Sequence, residues 1–445
     1  MFQGIPWQPE QWKKLFFVIW SGQVFSLLGS RLVQFALVWW LTLQTGSGMV
    51  LATATIAATI PQVIVGPFVG ALVDRWSRRS VMIVADSLIA LSTVLLAALF
   101  ATNLVQIWHI YAIMFARSVG GAFHWPAMQA STTLMVPKEH YSRIAGLNQT
   151  LQGVANIVSP PLGALLLSLL PMQWVLSVDV VTAALAVMPL LAILIPRPAQ
   201  TAAQDARPSI LREMIDGYRF MISWRGLLMV CGIAAFLNFL FAPAMALMPL
   251  LVTNHFQGEA YHLASLQTAT GFGFIAGGLL LTAWGGFKRR MATSMFGIIL
   301  VGAASILLGL APSTAFFLAV VASFLTGLML PVANGSLMAA LQGSVPPRLQ
   351  GRVFTLLSSA TGAMMPLGLA IAGPLSDVFG AGLWFVVGGI AAIVLGIAAF
   401  FVPAIMHLED EGAALGTKRQ DQDGACSPEA SPLPNDLPPA EETFS

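Results

Sequence analysis

The chain has 445 residues and a formal net charge of +2, with 57% hydrophobic and only 9% charged residues. A soluble domain carries roughly 25% charged residues, so this composition excludes a cytosolic enzyme, a nucleic-acid binder and a disordered chain. The two cysteines, Cys231 and Cys426, exclude a disulfide framework and a cysteine-based zinc site, which leaves a polytopic α-helical membrane protein.

A helix needs about 20 mostly apolar residues to cross a hydrocarbon core about 30 Å thick. Twelve stretches qualify in chain order: 15–42, 49–73, 80–101, 107–135, 142–170, 173–195, 226–253, 261–284, 291–311, 314–341, 353–377 and 381–405. Continuous apolar runs such as Leu91 to Phe100 do not alternate as barrel strands do. The first run is too long for a cleavable signal peptide and lacks a small-residue cleavage site, so it reads as a first transmembrane helix. With the N-terminus inside, nineteen of the 21 lysines and arginines fall in cytoplasmic segments, and none falls in an external loop. One miscounted helix would destroy that asymmetry, so an even number of spans with both termini cytoplasmic is expected.

The domain organisation follows from the polar segments. Residues 1–195 form an N-terminal six-helix bundle and 226–405 a C-terminal one. The linker, 196–225, is the longest and most polar loop between spans. Within it, Leu211, Met214, Ile215 and Tyr218 have helical spacing, which predicts an amphipathic helix on the inner surface. The tail, 406–445, is predicted to be disordered: from His407 onward it holds nine acidic residues, two basic ones and five prolines. The halves echo each other. Val136-Pro-Lys-Glu-His-Tyr-Ser-Arg143 and Val345-Pro-Pro-Arg-Leu-Gln-Gly-Arg352 follow the fourth and tenth spans at one offset of 209 residues, and the basic loop 74–79 is echoed by 285–290. Such a repeat places a substrate path between the halves.

Only two basic residues, Arg31 and Arg117, lie inside spans. A charge at that depth costs at least ~2.5 kcal/mol and requires a partner facing the bundle interior. Helix register puts both arginines, together with Asp179, in the outer half of the membrane. A buried ion pair or triad of Arg31, Arg117 and Asp179 is therefore expected. It is either a proton-coupling element or a permanent pin. Asp86 lies toward the inner end of the third span and is either embedded or cytoplasm-facing. His124 in the fourth span is a proton carrier or a packing residue. Asp377 falls at the outer end of the eleventh span, an interfacial position. The 27 phenylalanines and 20 methionines include Phe236, Phe239 and Met245 near Asn238 in span seven. Together with Gln23 and Gln34 of span one, they suit a large amphiphile, while lipid-facing and packing roles account for many such residues.

Residues 70–79, Gly-Ala-Leu-Val-Asp-Arg-Trp-Ser-Arg-Arg, resemble the signature loop between helices two and three of the major facilitator superfamily, with Ser77 in place of its glycine. Arg117-Ser-Val-Gly-Gly121 is similar to the Arg-x-x-x-Gly motif of proton-coupled members. Ser159-Pro-Pro-Leu-Gly163 is similar to the antiporter motif, with Ser159 replacing its leading glycine. Pro160, Pro161 and Gly163 are then the helix-packing residues. Gln23, Met49-Val-Leu, Ala85-Asp86 and Ala122-Phe-His-Trp-Pro-Ala127 resemble the macrolide-efflux permeases of the third drug:proton antiporter family. The resemblance implies two pseudo-symmetric six-helix halves and a cytoplasmic latch in which Asp74, with Gly70, Arg75, Arg78 and Arg79, meets the eleventh helix.

The expected function is proton-driven export of a hydrophobic or amphiphilic compound, macrolide-like drugs included, by alternating access. The expected partners are that substrate, protons and the lipid bilayer, with no nucleic acid, and the resemblance implies a monomer. No nucleotide-binding motif occurs, and no cofactor, metal or catalytic group is expected. The alternatives are a siderophore or lipid exporter of the same fold and, in another class, a membrane-embedded enzyme or a non-transporting receptor.

Overall fold

A computed structural model of the chain describes residues 11–195, 218–222, 224–345 and 347–410; at Gly70, Asp74 and Arg75 it describes the backbone alone. Among the described residues there are twelve helices of twenty residues or more. They are α1 Trp12–Thr45, α2 Gly48–Arg75, α3 Arg78–Ala101, α4 Ile107–Met135, α5 Tyr141–Leu169, α6 Met172–Ala192, α7 Arg225–Ala246, α8 Ala260–Trp284, α9 Arg290–Leu310, α10 Phe316–Ser344, α11 Pro347–Phe379 and α12 Ala381–Phe400. Eleven are long and apolar enough to cross a membrane. The twelfth, α4, is 29 residues long, and its apolar character is diluted by His109, Arg117 and His124.

The connections alternate in character. Loops rich in lysine and arginine gather at one end of the bundle, the basic face, and short turns without lysine or arginine close the other. The turn from α1 to α2 is of the second kind. Gly46, at φ 57°, ends α1 in the left-handed region and donates its N–H to the Thr42 carbonyl at 2.9 Å. Ser47 then caps α2 by accepting from the Val50 N–H.

The two halves are built alike. In the first, α1 packs on α5 and α6, α3 on α4 and α6, and α2 on α4. In the second, α7 packs on α11 and α12, α9 on α10 and α12, and α8 on α10. This is the same pairing shifted by six helices. The halves meet through α2 against α11 and α5 against α8, again one contact and its counterpart. Small residues bring backbones together in the second half. A Cβ at Gly273 of α8 would lie 2.2 Å from the Phe324 carbonyl of α10, and one at Gly302 of α9 would lie 2.6 Å from the Gly389 carbonyl of α12.

The buried side chains divide into three cores, and their placement defines the shape. One core runs across both halves at the face opposite the basic loops, joining Leu37, Leu51 and Leu176 to Leu247, Leu263 and Phe385. At the basic face each half has its own: Phe16, Val73 and Met82 in the first, and Leu227, Met291 and Leu341 in the second. Among the described residues, the buried cores of the two halves are thus joined at one end and separate at the other. Consistent with that separation, a Cβ at Gly66, Gly146, Gly153, Gly351 or Gly362, all toward the basic face, would meet nothing within 4 Å.

Most of the linker, including Leu211, Met214 and Ile215, and the tail beyond Asp410 lie outside the described residues. Its described end, 218–222, is helical, and Phe220, Met221 and Trp224 join the basic-face core of the second half rather than resting free on a surface. The ordered chain also continues past the expected boundary at 405. Glu409 sits 3.7 Å from Arg290 Nε, and His407 contacts Arg289, so residues 407–410 fold back on the loop between α8 and α9.

Candidate functional site

Three polar groupings interrupt the apolar bundle. The deepest is centred on Asp179 of α6, whose side chain is fully buried. It accepts from the Arg117 guanidinium of α4, from Ser30 Oγ of α1 at 2.9 Å and from Thr93 Oγ1 of α3 at 2.8 Å. Arg117 also donates to Thr93 Oγ1. Four helices of the first half are therefore tied to one carboxylate. The pairing of Arg117 with Asp179 is the one expected from depth. The inclusion of Arg31 is not: Ser30 takes that place, and Arg31, the next residue round the helix, points to α5 and donates to Gln152 Oε1 at 3.3 Å. No carboxylate pairs with Arg31 among the described residues.

The second grouping joins α1, α3 and α4 nearer the basic face. Gln23 Nε2 donates to Asp86 Oδ2 at 3.1 Å, and His124 Nε2 lies 2.7 Å from Gln23 Oε1 and 3.3 Å from Asp86 Oδ1. Asp86 is 2% exposed, so it is embedded rather than cytoplasm-facing. His124 keeps an exposed edge. Gln23, expected in a substrate cavity, instead locks the carboxylate and the imidazole together.

The third is a cavity of about 170 Å³ where α1 and α5 of the first half meet α8 of the second, lined by Arg31, Gln34, Phe35, Asn156, Ser159 and Gln267 among others. Of the other residues expected at a substrate cavity, none joins it. Phe236 lines a separate apolar groove of about 380 Å³ between α7 and α12, with Met229, Ile233 and Leu395. Phe239 stacks on Phe236 at 6.3 Å. Asn238 donates to the Ala234 carbonyl of its own helix, and Met245 is partly exposed further along α7. A membrane helix is apolar on most faces, so its sequence gives depth but not direction.

Of the latch residues, the side chains of Asp74 and Arg75 and the surroundings of Gly70 lie outside the described residues. Arg78 donates to the Ala130 carbonyl near the end of α4 at 2.7 Å. Arg79 donates to the Leu190 and Leu191 carbonyls at the end of α6. Arg79 therefore satisfies C-terminal helix carbonyls inside the first half, and the described bond of Arg78 also lies inside that half. In the packing motif, Pro160 is buried against the cavity and Pro161 is exposed. Gly163 lets α5 approach α1, since a Cβ there would lie 2.8 Å from the Phe35 ring.

The joint between halves that is visible lies at the opposite face. Asp377, near the end of α11, accepts from Ser47 Oγ at 2.9 Å, from the Met49 N–H at 3.2 Å and from the Gly48 N–H. A carboxylate here meets the free N–H groups and positive end of α2. The approach is close because Gly48 and Gly373 face each other: a Cβ on Gly373 would lie 3.2 Å from the Gly48 carbonyl. An interfacial side chain on sequence grounds is thus a clamp on the other half. Its partners are mainly backbone, which no side-chain pattern announces.

Residues 5–422 match the family described as transmembrane secretion effector. Macrolide efflux protein A of Streptococcus pyogenes is 33% identical over 400 residues, covering 90% of this chain and 98% of the relative. Multidrug efflux pump Tap of Mycolicibacterium fortuitum is 28% identical over 389 residues, covering 83% of this chain and 91% of its own length. Among solved structures, a bacterial homologue of the human lysosomal transporter Spinster, in an inward-facing and unoccupied conformation, superposes with a TM-score of 0.65 over 90% of this chain and 97% of that one, at 13% identity. That likeness is one of fold. With the repeated six-helix halves and the full-length match, the chain is a multi-pass membrane transporter, not an enzyme, and belongs to the transmembrane secretion effector family of the major facilitator superfamily.

Proposed function

We propose that the protein exports macrolide-like amphiphilic drugs in exchange for protons, by alternating access. The observation that carries this reading is the buried Asp86–His124–Gln23 cluster beside the open side of the bundle. A carboxylate and an imidazole in contact can hold one proton between them. Without it the cluster carries a net negative charge, a binding place for either a proton or a substrate ammonium. Proton and cationic drug then compete for one charge, which is the basis of exchange. Direction follows from sidedness. The basic face is assigned to the cytoplasm by its lysines and arginines, so the open end loads from inside. The likeness of this chain to macrolide and multidrug efflux proteins supports the substrate class.

Expression in a pump-deficient host is expected to raise macrolide resistance several-fold, and a protonophore is expected to remove the gain. Resistance that persists with the proton gradient collapsed contradicts the proton-driven reading.

The same reading makes Asp377 the clamp that holds the outer face shut while drug loads. Charge at a helix N-terminus is worth about 0.3–2 kcal/mol, so Asp377→Asn is expected to shift the balance toward the outward-open form by roughly two- to thirtyfold. Spin labels on cysteines at positions 146 and 351 report it as a shorter distance across the basic face. An unchanged distance distribution contradicts the clamp.

A further inference from the structure

The cavity between α1, α5 and α8 has a composition unlike the rest of the bundle. Its one charged group is Arg31, which spends a single N–H on Gln152 and has no carboxylate partner among the described residues. Ser159, one of the lining residues, is 4% exposed, and its Oγ is buried with no hydrogen-bond partner among the described residues. The amides of Gln34, Asn156 and Gln267 also line it and bond to no other described residue. A buried hydroxyl without a partner is costly, and here it lies beside a guanidinium and three amide side chains that line the same space. A guanidinium offers five donors and no acceptor, and each amide and hydroxyl adds further donors. The space is rich in donors and positive in sign.

We propose that this cavity is a substrate subsite for an oxygen-rich, acceptor-bearing face that carries no positive charge: lactone and ketone carbonyls, ether or sugar oxygens, or a carboxylate. The inference rests on the export reading above and deepens it, because it fixes which end of the drug goes where. At about 170 Å³ the cavity is smaller than the 300 Å³ or more of a whole drug site. It takes one face of the ligand and leaves the remainder in the open vestibule. Gln23 and Arg31 are eight residues apart on α1, a rise of about 12 Å. A drug-sized molecule spans that distance, with a cationic amine toward Asp86 and its oxygenated ring edge against Arg31. The two sites repel each other's ligand, which orients the molecule. Serine at 159, where the antiporter motif has glycine, supplies one of the donors.

The test is electrostatic and independent of the drug. Asn156 is exposed, so Asn156→Cys is placed in the full chain with Cys231 and Cys426 replaced by alanine. It is reacted with anionic sulfonatoethyl and cationic trimethylammonioethyl methanethiosulfonate, and the rates are normalised to those of a free thiol. A nearby fixed cation is expected to favour the anionic reagent by roughly fivefold or more. Arg31→Gln is expected to abolish the preference, and Arg31→Lys to keep it. Gln267→Glu, which sets a carboxylate across the cavity, is expected to cancel it with Arg31 intact, so the test does not depend on one variant folding. Erythromycin is expected to slow the labelling. Equal rates with both reagents, or a preference that survives Arg31→Gln, overturns the subsite. A preference that disappears in Arg31→Gln, without protection by erythromycin, supports the acceptor site and rejects the macrolide as its ligand.

Discussion

Replacing Asp179 by alanine is expected to destabilise the protein by about 3–5 kcal/mol, the usual cost of leaving one partner of a buried ion pair alone. The guanidinium of Arg117 would remain among α1, α3, α4 and α6 with no counter-charge, and the Ser30 and Thr93 hydroxyls would lose their acceptor. In detergent this should appear as an apparent melting temperature lower by roughly 5–10 °C. The double replacement Arg117→Met with Asp179→Leu removes both charges and is expected to recover most of the loss. This outcome separates the two roles the pair could have. Its carboxylate is fully buried and accepts from three donors, and on our reading the pair is a permanent pin of the first half. If Asp179→Ala melts at the wild-type temperature and loses only uphill transport, the pin is wrong and Asp179 is the coupling group.

Asp86→Asn is expected to do the reverse: normal melting, weaker binding of a cationic drug, and loss of proton-driven accumulation. Asparagine preserves the shape and still accepts from Gln23, but it cannot take a proton. Exchange of labelled for unlabelled drug across the membrane, which needs no net proton movement, should continue at saturating drug. His124→Gln should retain the contact to Gln23 while weakening the dependence of transport on pH. Drug accumulation in Asp86→Asn that still follows an imposed pH gradient contradicts the assignment. On our reading the two aspartates divide the work. One is enclosed by donors and fixed, and the other shares its environment with a titratable ring that keeps an exposed edge.

The helices were legible in the sequence because crossing a bilayer demands long apolar runs, and even α4 was found despite its polar residues. Depth was legible too. Counting residues at 1.5 Å each brought Arg117 and Asp179 to one level, and they meet. Direction around the helix was not. Ser30 and Arg31 differ by one residue and about 100°, yet one serves Asp179 and the other faces α5. An amphipathic surface helix shows which way it faces, whereas one enclosed by apolar neighbours and lipid on most sides does not. The same gap misplaced Phe236 and Gln23. Asn156 and Gln267 were unremarked, and Ser159 was noted only within the packing motif, because the three come together only when α5 and α8 of different halves are packed. Asp377 was placed at the correct depth, but two of its three partners are backbone N–H groups 328 and 329 residues away, the third being the Ser47 hydroxyl.

Drug-driven proton movement in proteoliposomes tests the central claim most directly. The purified chain is sealed into vesicles with a pH-sensitive dye inside, and a macrolide gradient is imposed with no ATP. One proton exchanged across one pH unit for one singly protonated drug sustains at most about a tenfold drug gradient, the factor that 1.4 kcal/mol allows. A downhill macrolide gradient should therefore drive protons the opposite way until a comparable pH difference stands, in the wild type and not in Asp86→Asn. Macrolide flux with no accompanying pH change, or an equal pH change in Asp86→Asn, would contradict the account.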